Sequence, residues 1–464
     1  MLAALIGGAV AAVGAGAAAQ SGAAPATAWS TPRALVASSQ YAFSPALAVG
    51  EDGEAVAGWF GGTPPRIVAG TARAGAVRVA KWTGATIVVD RGTVAGGFNL
   101  PVALSRHGSD QPDGLHVALS GSGVAYAAWS EFPSGAWMVA TAPRDGVFST
   151  PRRLLPDGGQ LVTLAAGRAG AVLAVWGEFA PLRLHEHASL DYARLGSDGR
   201  LGRTVVLSNL QGDDSAQIAV SVNDDGALAA AWVRGAIVSG PMPGPPNRLR
   251  VVVCTAAGHC TLTPSVALFP QSPEYLNVAV ALADDGTVSV LADDGPHAPS
   301  VQAAVSRNGS AFSPAQQLAS PASAPVATAD GRNGALAVLT GQIGGFARGL
   351  VWSLLPATGT RFAKARAVGD PNAIYSPVLA ANLAGQFVIA WNDQAGTNAN
   401  AAYSSVAAAT GSGQRLSRPA VIAPSDVAAQ TIKTGIDGAG NAIVIWNKWV
   451  GHEPRGVFAA VHHS

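Results

Sequence analysis

The sequence predicts an all-β protein built from a tandem repeat of about 55 residues, and two recurring signatures carry this prediction. The first is a glycine in a polar turn, followed six residues later by tryptophan. It recurs at Gly53/Trp59, Gly123/Trp129, Gly170/Trp176, Gly226/Trp232, Gly385/Trp391 and Gly440/Trp446. Two degenerate copies, at Gly286 and Gly334, carry Ala292 and Thr340 at the tryptophan position. This repeat length is typical of a four-stranded propeller blade rather than of a helical solenoid.

The turns around these glycines predict a hairpin between the first two strands of each repeat. Asn223 to Gly226, for example, is preceded by one apolar run and followed by another, and glycine supplies the positive φ that such turns need. The run after the turn, such as Ala442 to Trp446, has few polar breaks and predicts a strand buried on both faces. We expect the tryptophan that ends it to pack between neighbouring blades.

A second signature, upstream of the glycine, predicts the outermost strand of each blade. It is an aromatic residue or leucine, then proline, then an aliphatic residue, at Trp29/Pro32/Leu35, Phe98/Pro101/Leu104, Phe148/Pro151/Leu154 and Leu416/Pro419/Ile422, with Phe312/Pro314/Leu318 as a shifted variant. Proline cannot donate a ladder hydrogen bond, so a strand that carries it belongs at a sheet edge. A weaker third strand falls between the second and the outermost, as at Trp137 to Ala142.

The two ends of the repeat array predict how it closes. The chain opens with an outer strand, Trp29 to Leu35, and ends with a third strand, Gly456 to Val461. We therefore expect the N-terminal strand to complete the last blade, which removes the exposed flanks of the array. Eight copies predict eight four-stranded blades, with seven as the alternative if one degenerate copy is misread. Residues 29–464 then form a single propeller domain.

Composition and the N-terminal segment indicate export and exclude two classes of partner. Residues 1–19 are apolar and small and predict a signal peptide without a basic n-region, an Ala/Gly-rich linker being the alternative, and residues 20–28 predict a flexible lead-in. A formal net charge of +1 without a basic cluster gives no footprint for nucleic acid or anionic lipid. No later stretch reaches the ~18 apolar residues of a membrane span. We expect a secreted, extracellular or cell-envelope monomer.

The two cysteines, Cys254 and Cys260, flank Gly258 in a predicted hairpin. In an oxidising compartment such a pair predicts a disulfide. A zinc site would need further ligands, and only His259 is near in the sequence.

Length variation between the repeats predicts the binding face. The stretch from the proline position to the glycine spans only 19–22 residues in all copies, whereas the stretch from the glycine to the next proline position spans 28–48. The variation therefore falls after the tryptophan, mainly between the second and third strands, on the same face as the outer-to-first-strand connections. Insertions on one face of a repeat array commonly mark the binding face, and drift in a tolerant loop is the alternative.

Polar residues that follow the tryptophan position in several repeats are the candidate ligand-binding residues. They are Glu131, Glu178, Asp293, Asp294, Asn392, Asp393 and Asn447. Converging at the mouth of a central channel, such carboxylates and amides could bind Ca²⁺ or hydrogen-bond a sugar, although solvated loop starts would have the same sequence. We expect no resident metal or other cofactor. The weak metal candidates are His185 and His187 with Asp191, on one side of an extended segment.

The repeat resembles those of secreted bacterial β-propellers, in the broad group shared by sialidase-like and NHL-like proteins. The likeness runs from Trp29 to the C-terminus and consists of a strand, an Asp/Gly turn, a strand ending in an aromatic residue and a Phe-x-x-Pro edge strand. It departs from sialidase Asp boxes, which place the aromatic residue about three positions after the glycine. The three arginines and the Tyr/Glu pair of sialidases are not assignable from this sequence.

These observations favour an exported recognition or scaffold module that binds a carbohydrate or a protein surface. A glycoside hydrolase or lyase that uses carboxylates such as Glu131 and Glu178 is the alternative, since their separation decides whether hydrolysis is geometrically possible. A purely structural cell-surface protein is a third hypothesis.

Overall fold

The computed structural model describes twenty segments of the chain, and every statement below concerns these segments. They are residues 28–62, 66–72, 75–81, 85–98, 100–105, 110–132, 134–155, 159–167, 170–179, 187–208, 214–234, 248–266, 268, 277–293, 300–343, 347–368, 373–393, 405–424, 428–450 and 453–464. The predicted signal peptide lies outside them.

All regular elements in the described segments are β-strands. The first half of the chain contains β1 (Arg33–Val49), β2 (Glu54–Gly62), β3 (Arg66–Ala72), β4 (Gly75–Lys81), β5 (Thr86–Thr93), β6 (Gly97–Phe98), β7 (Val102–Ala103), β8 (Asp110–Leu119), β9 (Ala125–Phe132), β10 (Ala136–Ala142), β11 (Arg152–Arg153), β12 (Gly159–Ala166), β13 (Val172–Phe179), β14 (His187–Leu195), β15 (Val205–Ser208), β16 (Asp214–Val222) and β17 (Leu228–Arg234).

The second half continues the same pattern. It contains β18 (Arg248–Cys254), β19 (Cys260–Val266), β20 (Val278–Leu282), β21 (Val288–Asp293), β22 (Val301–Ser306), β23 (Gln316–Ala319), β24 (Ala322–Ala329), β25 (Ala335–Ile343), β26 (Ala347–Leu355), β27 (Arg366–Ala367), β28 (Ala373–Ala381), β29 (Gln386–Asp393), β30 (Ser405–Ser412), β31 (Arg415–Leu416), β32 (Ala420–Ala423), β33 (Ala428–Ile436), β34 (Ala442–Val450) and β35 (Glu453–His462).

The strands form four-stranded antiparallel sheets of the kind that make propeller blades, as the repeat predicts. Five sheets hold four consecutive strands each, from β8–β11 to β24–β27, and a sixth, β28–β32, has its outer strand in two pieces. The remaining strands, apart from the β3–β4 hairpin, join in one sheet with the order β33-β34-β35-β1-β2-β5-β6, in which β7 also pairs with β5. We call this the seam sheet, because it contains both ends of the described chain.

The seam sheet is continuous because β1 takes part in two sets of pairs. Its first part pairs with β35, where Arg33 faces Ala459, and its second part pairs with β2, where Val49 faces Ala55. The sequence predicted an outer strand here, Trp29 to Leu35, separate from the first strand that precedes the turn at Gly53. The structure instead joins the outer strand of one set and the inner strand of the next into one strand of 17 residues.

The inner strands contact one another in chain order. β1 contacts β8, and the contacts continue through β12, β16, β20, β24 and β28 to β33, which contacts β1 again. The core lies between the sheets, because the six repeat tryptophans are all at most 3 % exposed. Each packs against apolar residues of its own sheet and of the preceding one: Trp176, for example, shares a cluster with Val139 of β10. This confirms the predicted role of the tryptophans.

The turns between first and second strands define what we call the turn side of the molecule. Six of the eight repeat glycines have φ between 71° and 91°, as predicted. Gly170 and Gly334 do not have a positive φ, so that part of the prediction is wrong. Glycine is required there by close approach instead, since a Cβ at Gly170 would lie 2.5 Å from the carbonyl oxygen of Asp224.

The turns on this side are hydrogen-bonded from one sheet to the next. The Asn382 side chain donates to the carbonyl oxygen of Asp437 at 2.7 Å, and Gly438 N donates to the carbonyl oxygen of Glu51 at 2.9 Å. The Glu51 carboxylate also accepts from Leu383 N at 3.0 Å. The turns that follow β28 and β33 are thereby tied to the first turn, which follows β1.

The predicted disulfide is present. Cys254 and Cys260 occupy facing positions of β18 and β19 and are joined to each other. The described part of the chain has no apolar helix of membrane-spanning length.

Candidate functional site

The opposite side of the molecule, where the second strands end at the tryptophan positions, is the loop side. The connections there that the sequence analysis singled out fall largely outside the described segments, at 180–186, 235–247 and 394–404, for instance. In the first repeat the inserted residues include the β3–β4 hairpin, between β2 and β5, which accounts for the longest glycine-to-proline spacing. The strand ends and the inner strands are therefore the parts of this side that the structure describes.

Asp293 is a buried acceptor on the loop side rather than an exposed one. Its side chain is 1 % exposed and accepts three hydrogen bonds, from Asn277 N at 3.0 Å, Asn277 Nδ2 at 2.7 Å and Ala324 N at 2.9 Å. Ala324 belongs to the next sheet and has φ 50°, inside the bulge of β24. Asp293 thus holds the start of one inner strand and the bulge of the next, which is a structural task.

Asn447 and Asn392 occupy the equivalent position after their tryptophans and are also buried, at 2 % and 5 % exposure. Asn447 Oδ1 accepts from Thr431 N at 3.0 Å, at the bulge of β33. Asn392 Oδ1 is buried and has no hydrogen-bond partner in the described part of the structure. Buried acceptors of this kind are normally satisfied, so Asn392 has capacity for one further donor.

The remaining candidates lie nearer the surface or outside the described side chains. Glu131 is partly exposed at the end of β9, and its backbone carbonyl closes the following turn by accepting from Gly135 N at 2.7 Å. Asp393 is partly exposed and its backbone carbonyl accepts from Ser405 at 3.2 Å. The side chain of Glu178 and the whole of Asp294 lie outside the description. The ligand-binding role of these residues stays a prediction, as does a carboxylate pair for hydrolysis.

The metal candidates are only partly described. His185 and the side chain of His187 lie outside the description, whereas Asp191 is 5 % exposed and accepts a hydrogen bond of 2.6 Å from Ser189 Oγ. Burial raises the pKa of Asp191, and the Ser189 hydrogen bond opposes this shift. No group of three or more His, Cys, Asp or Glu side chains is placed to hold a metal ion among the described residues.

The inner strands bring together two groups that the sequence analysis did not select, His116 of β8 and Lys433 of β33. Each faces the residue just before its repeat tryptophan, His116 opposite Ala128 and Lys433 opposite Ile445. In five other repeats this position holds a small or apolar residue or threonine: Ala46, Thr163, Ala219, Ala279 and Val378. His116 and Lys433 are titratable residues at a position that holds a small or apolar residue or threonine in five other repeats. This difference was the sequence signal that could have revealed them.

Desolvation lowers the pKa of both groups, and the positive charge of Lys433 acts further on His116. The pKa of His116 is lowered to about 4, first by burial and then by the positive charge of Lys433, and the imidazole packs against Trp137 with ring centroids 5.8 Å apart. Partial desolvation by the surrounding protein also lowers the pKa of Lys433. At neutral pH His116 is therefore neutral. Lys433 is solvent-accessible and makes no hydrogen bond or ion pair with any described residue, so it can receive an anionic group.

A third polar group lies on the loop side at the seam. Tyr41 of β1 is 4 % exposed, the guanidinium of Arg455 lies 5.2 Å from the centre of its ring, and Arg455 pairs with Glu453. Burial raises the pKa of Tyr41, the Glu453 carboxylate adds to this rise and Arg455 opposes it. The group depends on the pairing of β1 with β35, which brings Tyr41 opposite Arg455.

Comparison with known proteins gives remote structural similarity. No protein-family description matches the sequence, and no curated protein is similar to it at a significant level. A protein of unknown function from Dyadobacter fermentans is similar over 93% of this chain and 99% of its own, with 12% identity and a TM-score of 0.44. A NanB sialidase from Streptococcus pneumoniae is similar over 91% of this chain and 68% of its own, with 9% identity and a TM-score of 0.38.

A GH43_1 enzyme from Xanthomonas citri is similar over 54% of this chain and 88% of its own, with 13% identity and a TM-score of 0.32. At these identities and scores the similarities do not carry an activity over to this chain.

Proposed function

We propose that this protein is an exported eight-bladed β-propeller that binds a carbohydrate or a protein ligand through its loop side. The contacts that run from one inner strand to the next and return from β33 to β1 support eight blades in one ring. The pairing of β1 with β35 supports closure by the N-terminal strand. Closure places the ends of all eight second strands on one side of the molecule.

The contrast between the two sides is the observation that carries the proposal. Turns on the turn side are short, and several are hydrogen-bonded to the next turn. The loop side has the length variation and the partly exposed carboxylates Glu131 and Asp393. The unpaired cation Lys433 lies on the inner strand β33, opposite Ile445. Binding residues concentrate on variable loops that a rigid scaffold positions.

The chemistry of the inner strands favours a ligand with an anionic group. Lys433 offers one positive charge, and neutral His116 adds no charge of its own at neutral pH. A uronic acid or an acidic protein segment presents the carboxylate that such a cation would pair with.

Export is supported by the disulfide and by the expected leader at residues 1–19. Disulfides persist in oxidising compartments, and Cys254 and Cys260 are joined. Thiol alkylation of the protein taken directly from its native host should label neither cysteine. Labelling of both without prior reduction would contradict export.

A glycan array and an array of acidic peptides test the proposed binding. We expect at least one acidic ligand to bind, and we expect a combined Glu131→Gln, Asp393→Asn, Lys433→Met variant to lose about tenfold or more in affinity, since hydrogen bonds to charged groups are the strong ones. The matched control is Asp145→Asn, which removes an exposed carboxylate between β10 and β11 on the turn side.

Unchanged binding in the combined variant, or loss of binding in Asp145→Asn, would contradict the proposal. Turnover of a bound glycan that disappears in Glu131→Gln would instead favour a glycoside hydrolase. The same array material, assayed for released reducing ends, distinguishes the two functions.

A further inference from the structure

A cleft of about 460 Å³ opens beside the seam, away from the loop side. Three parts of the chain line it: the N-terminal residues from Ser30 to Leu35, the turn from Ala95 to Phe98 that follows β5, and Ile443, Ala459, Val461 and His463 near the C-terminus. Val94, next to this turn, donates to the carbonyl oxygen of Gly53 at 2.9 Å, which places the cleft towards the turn side. Its volume is within the range of small-molecule sites.

The floor of the cleft is apolar and its rim is polar. Phe98, Ile443 and Ala459 are at most 6 % exposed and supply the apolar surface. Arg33 and His463 are exposed at the rim. Ligand pockets usually combine an apolar floor with a few polar groups.

Arg33 differs from the paired arginines of the molecule in having no partner of its own. Arg91 pairs with Glu54, Arg307 with Asp285 and Arg455 with Glu453. Arg33 makes no ion pair or hydrogen bond with any described residue. A Cβ at Gly97 would lie 3.1 Å from its guanidinium, so the absence of a side chain there leaves room for the arginine along the wall of the cleft.

We propose that the seam cleft is a second binding site, for a small molecule that joins one carboxylate to an apolar body. The carboxylate pairs with the planar guanidinium of Arg33, whose fork of donors fits a carboxylate in two-point contact. The apolar body lies on Phe98, Ile443 and Ala459. Because residues from both ends of the chain form the cleft, bound ligand also stabilises the pairing of β1 with β35.

Titration calorimetry with 3-phenylpropionate tests this site, with the neutral 3-phenylpropanamide as the matched probe. We expect saturable binding of the carboxylate and about tenfold or weaker binding of the amide, because a hydrogen-bonded charge is lost. Arg33→Gln should weaken carboxylate binding by a similar factor. Arg361→Gln, which changes an equally exposed arginine away from the cleft, should leave it unchanged.

A second variant fills the cleft without removing the charge. Thr31 is exposed at the rim, and Thr31→Trp should abolish binding of the carboxylate while leaving thermal unfolding of the free protein unchanged within experimental error. Equal affinity for the carboxylate and the amide, undiminished binding in Arg33→Gln, or absence of saturable binding would overturn the proposal.

The loop-side site and the seam cleft can be tested independently of each other. Lys433→Met should leave binding of 3-phenylpropionate unchanged, and Arg33→Gln should leave binding of the loop-side ligand unchanged. Loss of phenylpropionate binding in Lys433→Met would show that the probe reports on the inner strands rather than on the seam cleft.

Discussion

The turn side and the loop side of this molecule are built from the same repeat but use its polar residues differently. On the turn side, buried side chains such as Asn382 connect one turn to the next, and the first turn is bonded to turns near the C-terminus. On the loop side, buried acceptors such as Asp293 hold strand bulges, while Glu131 is partly exposed at a strand end. A repeat can therefore keep its scaffold constant on one side and vary its chemistry on the other.

This comparison predicts that the buried polar residues that connect turns on the turn side matter for stability, whereas the partly exposed polar residues of the loop side do not. Asn382 is fully buried, and its side chain accepts from Gln386 N at 2.9 Å and donates to Asp437 and Gln386. Asn382→Ala should lower the free energy of unfolding by about 2 to 4 kcal/mol, because it leaves buried partners unpaired. Chemical denaturation of the variant and the wild-type protein measures the difference.

The loop-side counterpart is Glu131→Gln, which changes a partly exposed carboxylate. We expect the free energy of unfolding to change by less than about 0.5 kcal/mol, as for most surface substitutions. If both variants lost the same stability, the distinction between the two sides would be wrong.

His116 on the inner strand β8 predicts that the stability of the protein depends on pH. The pKa of His116 is about 4 in the folded protein and 6.5 in the ordinary unfolded chain, so the unfolded chain binds a proton first as the pH falls. The free energy of unfolding therefore falls by up to about 3 kcal/mol as the pH is lowered from about 6.5 to about 4. Urea denaturation at several pH values should show this loss in the wild-type protein and a smaller one in His116→Phe.

His259 provides the control for this titration because it is exposed, and His259→Asn should keep the full loss. An identical pH profile in the wild-type protein and His116→Phe would show that His116 is not the group responsible.

The sequence was sufficient for the features that local chemistry determines. The glycine and tryptophan spacing predicted the hairpins and the buried indoles, and the cysteine spacing predicted the disulfide between β18 and β19. Gly170 and Gly334 were the exceptions among local features. Their need for glycine comes from close carbonyl oxygens, that of Asp224 in a different sheet for Gly170 and that of Leu355 for Gly334.

Features that depend on contacts between distant repeats were not predictable from the sequence. His116 and Lys433 are more than three hundred residues apart in the chain, and only the return of β33 to β1 brings their charges within reach of each other. The burial of Asp293 likewise depends on a bulge in the following sheet. The sequence identified Asp293 as polar at a strand end but could not show that the neighbouring strand uses its carboxylate.

Closure of the ring by β1 and β35 is the claim on which both binding sites depend, and an engineered cross-link tests it most directly. Arg33 and Ala459 face each other across these strands, in the same relation as Cys254 and Cys260. In an Arg33→Cys, Ala459→Cys variant we expect a disulfide to form under mild oxidation, detected by intact mass and by protection from alkylation. Two thiols that stay reactive, or cross-linking as efficient in the control Arg33→Cys, Ala420→Cys, would contradict a closed ring.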